Sequence, residues 1–157
     1  MSERQAAALR AVAVRLREAG IPFVLGGSAL LHALGAKVQV GDIDLVLRAV
    51  DRERLRAAAG DWWRAITTEQ TPLFRSAWKA TLDVGGVPVE ALGGLAWADG
   101  DRVLEMPFRA EGTWRCGDVE VPLAPAADWL ALYRLYRPDR AAELAAVLPA
   151  CYDSEQP

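Results

Sequence analysis

One histidine and two cysteines in 157 residues leave almost nothing from which to build a nitrogen–sulfur metal centre. Cys116 and Cys151 stand far apart and form no ligand motif, so free, buried thiols in a reducing compartment are expected rather than a disulfide framework. No apolar run approaches the roughly 20 residues of a membrane span. The chain opens MSERQAAALR, charged at once and unlike a secretory leader. A cytoplasmic protein with no membrane partner is therefore expected. Basic residues are in deficit as well: Lys and Arg number 18 against 21 Asp and Glu, the net charge is −3 and the pI about 5.2. Proteins that grip many phosphates of a long nucleic acid carry a basic surplus, so that partner class is not expected.

What the chain does have is apolar bulk, 52% of its residues, enough at this length for one domain with its own core. No repeat, low-complexity segment or linker divides it. A single domain over residues 1–150 is expected, with CYDSEQP at 151–157 as a flexible tail. Ser2 with Gln5 three residues on forms a capping-box pattern, and Leu9, Val12, Leu16 and Ala19 follow at helical spacing until Gly20. PFVLGG reads as a buried strand, and SALLHALGA as a short helix with Ser28 at its cap. KVQVGDIDLVLRAV reads as a returning strand. Asp51 is the expected cap of a helix through RERLRAAAGDWWR, with a break near Gly60. Helical spacing then fades, and from Pro72 to Pro122 glycines punctuate β-type runs. The last third turns helical again in AADWLALYRLY and in PDRAAELAAVL, where Pro138 suits a first helical turn.

Within that layout GDIDLVL poses a chemical problem. Alternate residues of a strand share a face about 7 Å apart. Ile43, Leu45 and Leu47 therefore point into the core, and Asp42 and Asp44 point the other way together. Two such charges repel by about 2 kcal/mol at an effective dielectric near 20, a cost that a hard cation would offset. Taken alone, an Asp-x-Asp at a strand end is as often an ordinary surface pattern. Its company is more telling. Upstream, a strand ends in Gly26-Gly27 with Ser28 opening a helix, an arrangement that turns backbone N–H groups toward an anion and lets a phosphate approach closely; a plain helix cap after a tight turn has equal claim. Downstream, TLDV-GG-VPVEAL reads as a hairpin about Gly85-Gly86, which pairs Val84 with Val87, Asp83 with Pro88 and Thr81 with Glu90. Leu82, Val84, Val87, Val89 and Ala91 then share the core face, leaving Asp83 and Glu90 opposite. If that hairpin lies beside the Asp-x-Asp strand, Glu90 supplies a third carboxylate. Asp83 is its rival, nearer the turn and more solvated.

An apolar strand, Gly-Gly-Ser, a helix, Asp-x-Asp and a later acid in an apolar strand together resemble the nucleotidyltransferase superfamily, the DNA polymerase β-like fold. GGVPVEALGGL resembles in addition the third-acid segment of small bacterial members, the aminoglycoside and minimal nucleotidyltransferases. The resemblance covers residues 20–95, and departs at Gly41, where serine is frequent. It implies an α/β (α+β) fold: a mixed twisted sheet flanked by helices, with extra antiparallel strands and C-terminal helices. It implies transfer of a nucleoside monophosphate, AMP from ATP or the equivalent from another NTP, to a hydroxyl of a small molecule or a protein. In that reading Asp42, Asp44 and Glu90 are the catalytic residues and hold Mg²⁺, Glu90 takes the proton of the attacking hydroxyl, and Gly26, Gly27 and Ser28 receive the nucleotide's phosphates. The competing function is a catalytically weak binding or regulatory module on the same fold, an antitoxin-like partner. A partner protein or a homodimer is compatible with either.

The remaining polar residues read more plainly. His32, one helical turn beyond Ser28, is expected as a satisfied or exposed helix residue. Arg134, Arg137 and Arg140 are read first as a solvated helix face and second as triphosphate contacts. In the same order, Trp78, Trp97, Trp114 and Trp129 are read as core and then as walls of an acceptor cleft.

Overall fold

The structure, a computed structural model, describes residues 1–149; the expected tail at 151–157, with Cys151, lies outside the described residues. Helix α1 (Glu3–Glu18) starts at the capping box: Gln5 N–H donates to Ser2 Oγ, and the Ser2 N–H donates back to Gln5 Oε1 at 2.8 Å. Its Leu9, Val12 and Leu16 are buried. Strand β1 (Phe23–Gly26) runs directly into α2 (Gly27–Ala33), and β2 (Ile43–Leu47) returns antiparallel to β1. Helix α3 (Arg52–Ala59) leads through a 3-10 turn to β3 (Trp63–Thr67). The hairpin of β4 (Trp78–Val84) and β5 (Val87–Gly93) completes a five-stranded sheet in the order β1-β2-β5-β4-β3. The β2–β5 pair is parallel and the other pairs are antiparallel, so the sheet is mixed as expected.

Two small hairpins follow, β6 (Ala96–Asp99) with β7 (Arg102–Glu105) and β8 (Thr113–Cys116) with β9 (Val119–Pro122). Helices α4 (Ala126–Tyr136) and α5 (Pro138–Ala145, Pro138 in its first turn) end the described chain. The core is continuous across these elements: Leu30 and Leu31 of α2, Ile43, Leu45 and Leu47 of β2, Val89 and Ala91 of β5, and Leu132 of α4 are all closed to solvent. Cys116 is buried, as expected of a free thiol. Among the described residues no helix is long and apolar enough to cross a membrane.

Four local expectations need correction. KVQVG is not strand: the Val40 and Gly41 carbonyls accept from Gln5 Nε2 at 2.8 and 2.7 Å, so these groups serve α1 instead of a ladder, and β2 begins only at Ile43. Ser28 does not cap α2; its Oγ accepts from the Gly41 N–H at 3.3 Å, which pins the loop before Asp42. Asp51 precedes α3 but makes no capping bond, because its carboxylate is held by Arg48 (2.7 and 3.0 Å) and Arg54 (2.9 Å). The break expected near Gly60 is present, with α3 ending at Ala59 and Gly60 at φ +53°, but the helix does not resume beyond it: Trp63 opens a strand.

Asp51 is the one fully buried charged side chain among the described residues, 1% exposed. Its hydrogen bonds to Arg48, then to Arg54, hold its carboxyl below the ordinary range against the opposing effect of burial. A depressed carboxyl stabilises the fold above its unfolded value, near 3.8, and the benefit fades as pH falls through the lower folded value. Asp51→Asn is therefore expected to cost about 2 kcal/mol at neutral pH, with the difference from wild type shrinking on acidification, as read by denaturant unfolding at several pH values.

Candidate active site

Sheet register builds the site. Gly26 of β1 pairs with Asp44 of β2, Asp44 with Glu90 of β5, and Glu90 with Thr81 of β4, one row across four strands. The hairpin register is the one expected from Gly85-Gly86, including Val84 with Val87 and Asp83 with Pro88. Asp44 and Glu90 are direct neighbours on one face, while Ile43, Leu45, Val89 and Ala91 fill the other. Asp42 lies at the bend before β2 rather than in it. Each of the three acids offers an oxygen, and these lie within 4.8 Å of one another. Asp83, the rival acid, is 43% exposed and stays at the turn, where it accepts from the Gly86 N–H at 2.7 Å.

The glycine turn belongs to the same place. Gly27 has φ +60°, and a Cβ there would fall on the Asp44 carboxylate. A Cβ at Gly26 would fall on the Trp129 indole. The turn can therefore carry no side chain, because Asp44 and Trp129 occupy that space. Trp129 is 3% exposed, and its indole N–H has no hydrogen-bond partner among the described residues.

Above the acids opens a cavity of about 520 Å³. Ser28, Asp42, Asp44, Lys79 and Glu90 line its polar side. An aromatic wall faces them: Trp129, Tyr133 and Tyr136 of α4 succeed one another with ring centroids 5.5 and 5.8 Å apart, and Phe74 meets Tyr136 edge-on at 5.2 Å. Burial pushes the Tyr136 phenol up to about 12 and the Tyr133 phenol higher still; Asp44 adds to both, so both stay protonated and able to donate. Asp44 itself is pushed up to about 8, chiefly by burial, then by Asp42 and Glu90, with Lys79 opposing. Three clustered carboxyl side chains make an all-oxygen donor set suited to a hard divalent cation such as Mg²⁺.

Lys79 escaped the sequence reading, although the alternation that puts Asp83 beside Glu90's face puts Lys79 there too. Its Nζ lies 3.0 Å from Glu90 Oε1. Arg137 and Arg140, expected first as a solvated face, also line the cavity, whereas Arg134 does not. Arg137 grips Asp139 through two bonds of 3.0 and 2.9 Å. Arg140 pairs with Glu143 at 3.0 Å and donates to the Gln39 carbonyl at 3.2 Å. Tyr133 and Tyr136 were signalled only by their spacing with Trp129, i, i+4 and i+7, which marks one helix face. Trp78 and Trp129 are both core and cavity wall, Trp97 is core, and Trp114 is half-buried against His32, ring centroids 6.0 Å apart. His32 lies outside the cavity, its Nδ1 3.5 Å from the N-terminal amine.

No family model and no curated protein matches the chain. Solved structures do. A Thermotoga maritima protein assigned as a nucleotidyltransferase superposes with a TM-score of 0.72 at 19% identity, over 89% of each chain. The antibiotic-resistance factor ANT(2'')-Ia gives 0.64 at 17% identity, over 97% of this chain and 88% of that one. The lincosamide antibiotic adenylyltransferase LnuA gives 0.60 at 15%, over 94% and 99%. The chain therefore has the nucleotidyltransferase fold that its motifs resemble.

Two outcomes follow from the crowding at Asp44. A carboxyl raised from near 3.8 to about 8 makes the folded state bind more protons than the unfolded chain, so its ionisation erodes stability as pH climbs through that window. Asp44→Asn is expected to melt a few degrees above wild type at pH 8–9 in chelator, with the gain vanishing toward pH 4, by scanning calorimetry. Gly27→Ala, strained at positive φ and colliding with Asp44, is expected to destabilise by about 2 kcal/mol in denaturant titration.

Proposed function

We propose that the chain transfers a nucleoside monophosphate, AMP from ATP in the first instance, to a hydroxyl of a small-molecule acceptor. The observation that carries this reading is the convergence of Asp42, Asp44 and Glu90 beside the Gly26-Gly27 turn, on the wall of a cavity of small-molecule size. The solved relatives support the acceptor class: ANT(2'')-Ia has been seen with adenylyl-2''-tobramycin and LnuA with lincomycin.

The donor set fits Mg²⁺, and Asp42, Asp44 and Glu90 are the residues that would hold it. Bound there, divalent cations supply electrostatic stabilisation of the attacking and leaving oxygens of an in-line displacement. The protein's own groups do the rest. Ser28, fixed through its hydroxyl to the Gly41 N–H, and the backbone of the Gly26-Gly27 turn, packed against Trp129 and Asp44, are the groups assigned to the phosphates. The unspent indole N–H of Trp129 lies against that turn as a further donor. Arg137 and Arg140 bring positive charge to the lining of the cavity. Glu90 takes the proton from the acceptor hydroxyl as its oxygen bonds to the α-phosphorus, and the bond from that phosphorus to pyrophosphate breaks. The aromatic wall of Phe74, Tyr133 and Tyr136 offers flat apolar surface to the base or the acceptor and excludes water from the reacting oxygens.

The test has two stages. ATP with Mg²⁺ is expected to raise the melting temperature by several degrees, neither ligand alone to do so, and Asp42→Ala to abolish the effect. Labelled ATP with a panel of polyhydroxylated acceptors is then expected to yield a labelled product, falling by roughly a thousand-fold in Asp42→Ala and Glu90→Gln. Stabilisation without transfer leaves a nucleotide-binding module, and no response to any triphosphate with Mg²⁺ or Mn²⁺ overturns the reading.

A further inference from the structure

We propose that Lys79 is a built-in competitor for the divalent cation at Glu90, so that the metal loads fully only when the nucleotide arrives to draw the ammonium away. The inference rests on the proposed function for the identity of the site, but its test does not depend on turnover.

Lys79 and Glu90 sit on adjacent strands and on the same face, two positions out of register: Lys79 pairs with Leu92, and Glu90 with Thr81. On that diagonal the long lysine stem reaches the carboxylate, and Nζ stops 3.0 Å from Oε1. Among the described residues this is the one ion pair that touches Asp42, Asp44 or Glu90, since the guanidinium groups of Arg137 and Arg140 are engaged with Asp139 and Glu143. Glu90 thus has two claimants for one carboxylate. A divalent ion drawing on the three acids must share it with an ammonium or displace that ammonium, because two cations at such range repel.

Displacement is feasible. The Lys79 side chain is 43% exposed, and a lysine head is a mobile point charge on a flexible stem. Bound triphosphate brings several negative charges into the same cavity and offers the ammonium another partner. Nucleotide and metal then strengthen each other's binding, and by linkage the coupling is reciprocal. Lys79 acts here as a positioning residue, setting when Glu90 is free to ligate and to take a proton. A merely structural lysine would leave metal affinity unchanged, or lower it on removal.

The test is titration with Mn²⁺, the free ion read by its paramagnetic resonance signal, on wild type, Lys79→Gln, Lys79→Met and Glu90→Gln, with and without a non-hydrolysable ATP analogue. Without nucleotide, Lys79→Gln and Lys79→Met are expected to bind Mn²⁺ about ten-fold more tightly than wild type, and Glu90→Gln more weakly. The analogue is expected to raise Mn²⁺ affinity by a larger factor in wild type than in either Lys79 variant. Equal or weaker Mn²⁺ binding in both Lys79 variants overturns the inference while leaving the proposed function standing. Tighter binding in the variants with no analogue bound by any protein upholds the competition at Glu90 and overturns the nucleotide's part in it, together with the proposed function. No Mn²⁺ binding by any of the four overturns both.

Discussion

Everything in the site depends on the parallel pairing of β2 with β5, which sets Asp44 beside Glu90 on one face of the sheet. That pairing is fixed from the opposite face, where Ile43 against Val89 and Leu45 against Ala91 are wholly buried. A slip by one residue would turn Ile43, Leu45 and Leu47 to the cavity and Asp44 to the core. The core therefore holds the acids together against their own repulsion. The energy of apolar burial in the sheet exceeds the cost of one crowded carboxylate cluster, about 25 cal/mol for each Å² of apolar surface buried against a couple of kcal/mol of repulsion.

The second constraint is steric. Asp44 has room because Gly27 has no side chain, and Trp129 has room because Gly26 has none. The two glycines are thus fitted to two particular neighbours. That contact also joins the C-terminal helices to the site, since Trp129 belongs to α4 and the rest of its aromatic face, Tyr133 and Tyr136, closes the cavity opposite the acids. The result is a cleft with one strongly polar wall and one largely apolar wall, a division suited to holding a charged, reacting end and a flat, unreactive end of a ligand at once.

Much of this was legible in the sequence where one local rule dominated. Gly85-Gly86 between alternating segments dictated a two-residue turn, and the turn dictated the register that turns Glu90 away from the core. The capping box at Ser2 and Gln5 and the helical start at Pro138 were similarly local. The misses arose where a distant partner outbid the local rule. Nothing near Val40 and Gly41 announces that Gln5 takes their carbonyls, nor near Ser28 that its hydroxyl serves Gly41 instead of its own helix. Asp51 follows a capping pattern, yet two arginines claim it. Lys79 and the α4 aromatics carry periodic signals, but only the tertiary arrangement shows that both periods face one cavity.

The Gln5 side chain joins two regions far apart in sequence. Its amide oxygen accepts from the N–H of Ser2, the cap of α1, while its nitrogen holds the two carbonyls just ahead of Asp42. Arg140, from α5, holds the neighbouring Gln39 carbonyl. Asp42, alone among the three acids, stands outside the sheet and owes its place to these tethers. Fraying of the amino-terminal turn of α1 would remove two of the bonds on the loop ahead of Asp42, leaving it to the Ser28 and Arg140 tethers, so the order of the helix start bears on the placing of an acid forty residues away.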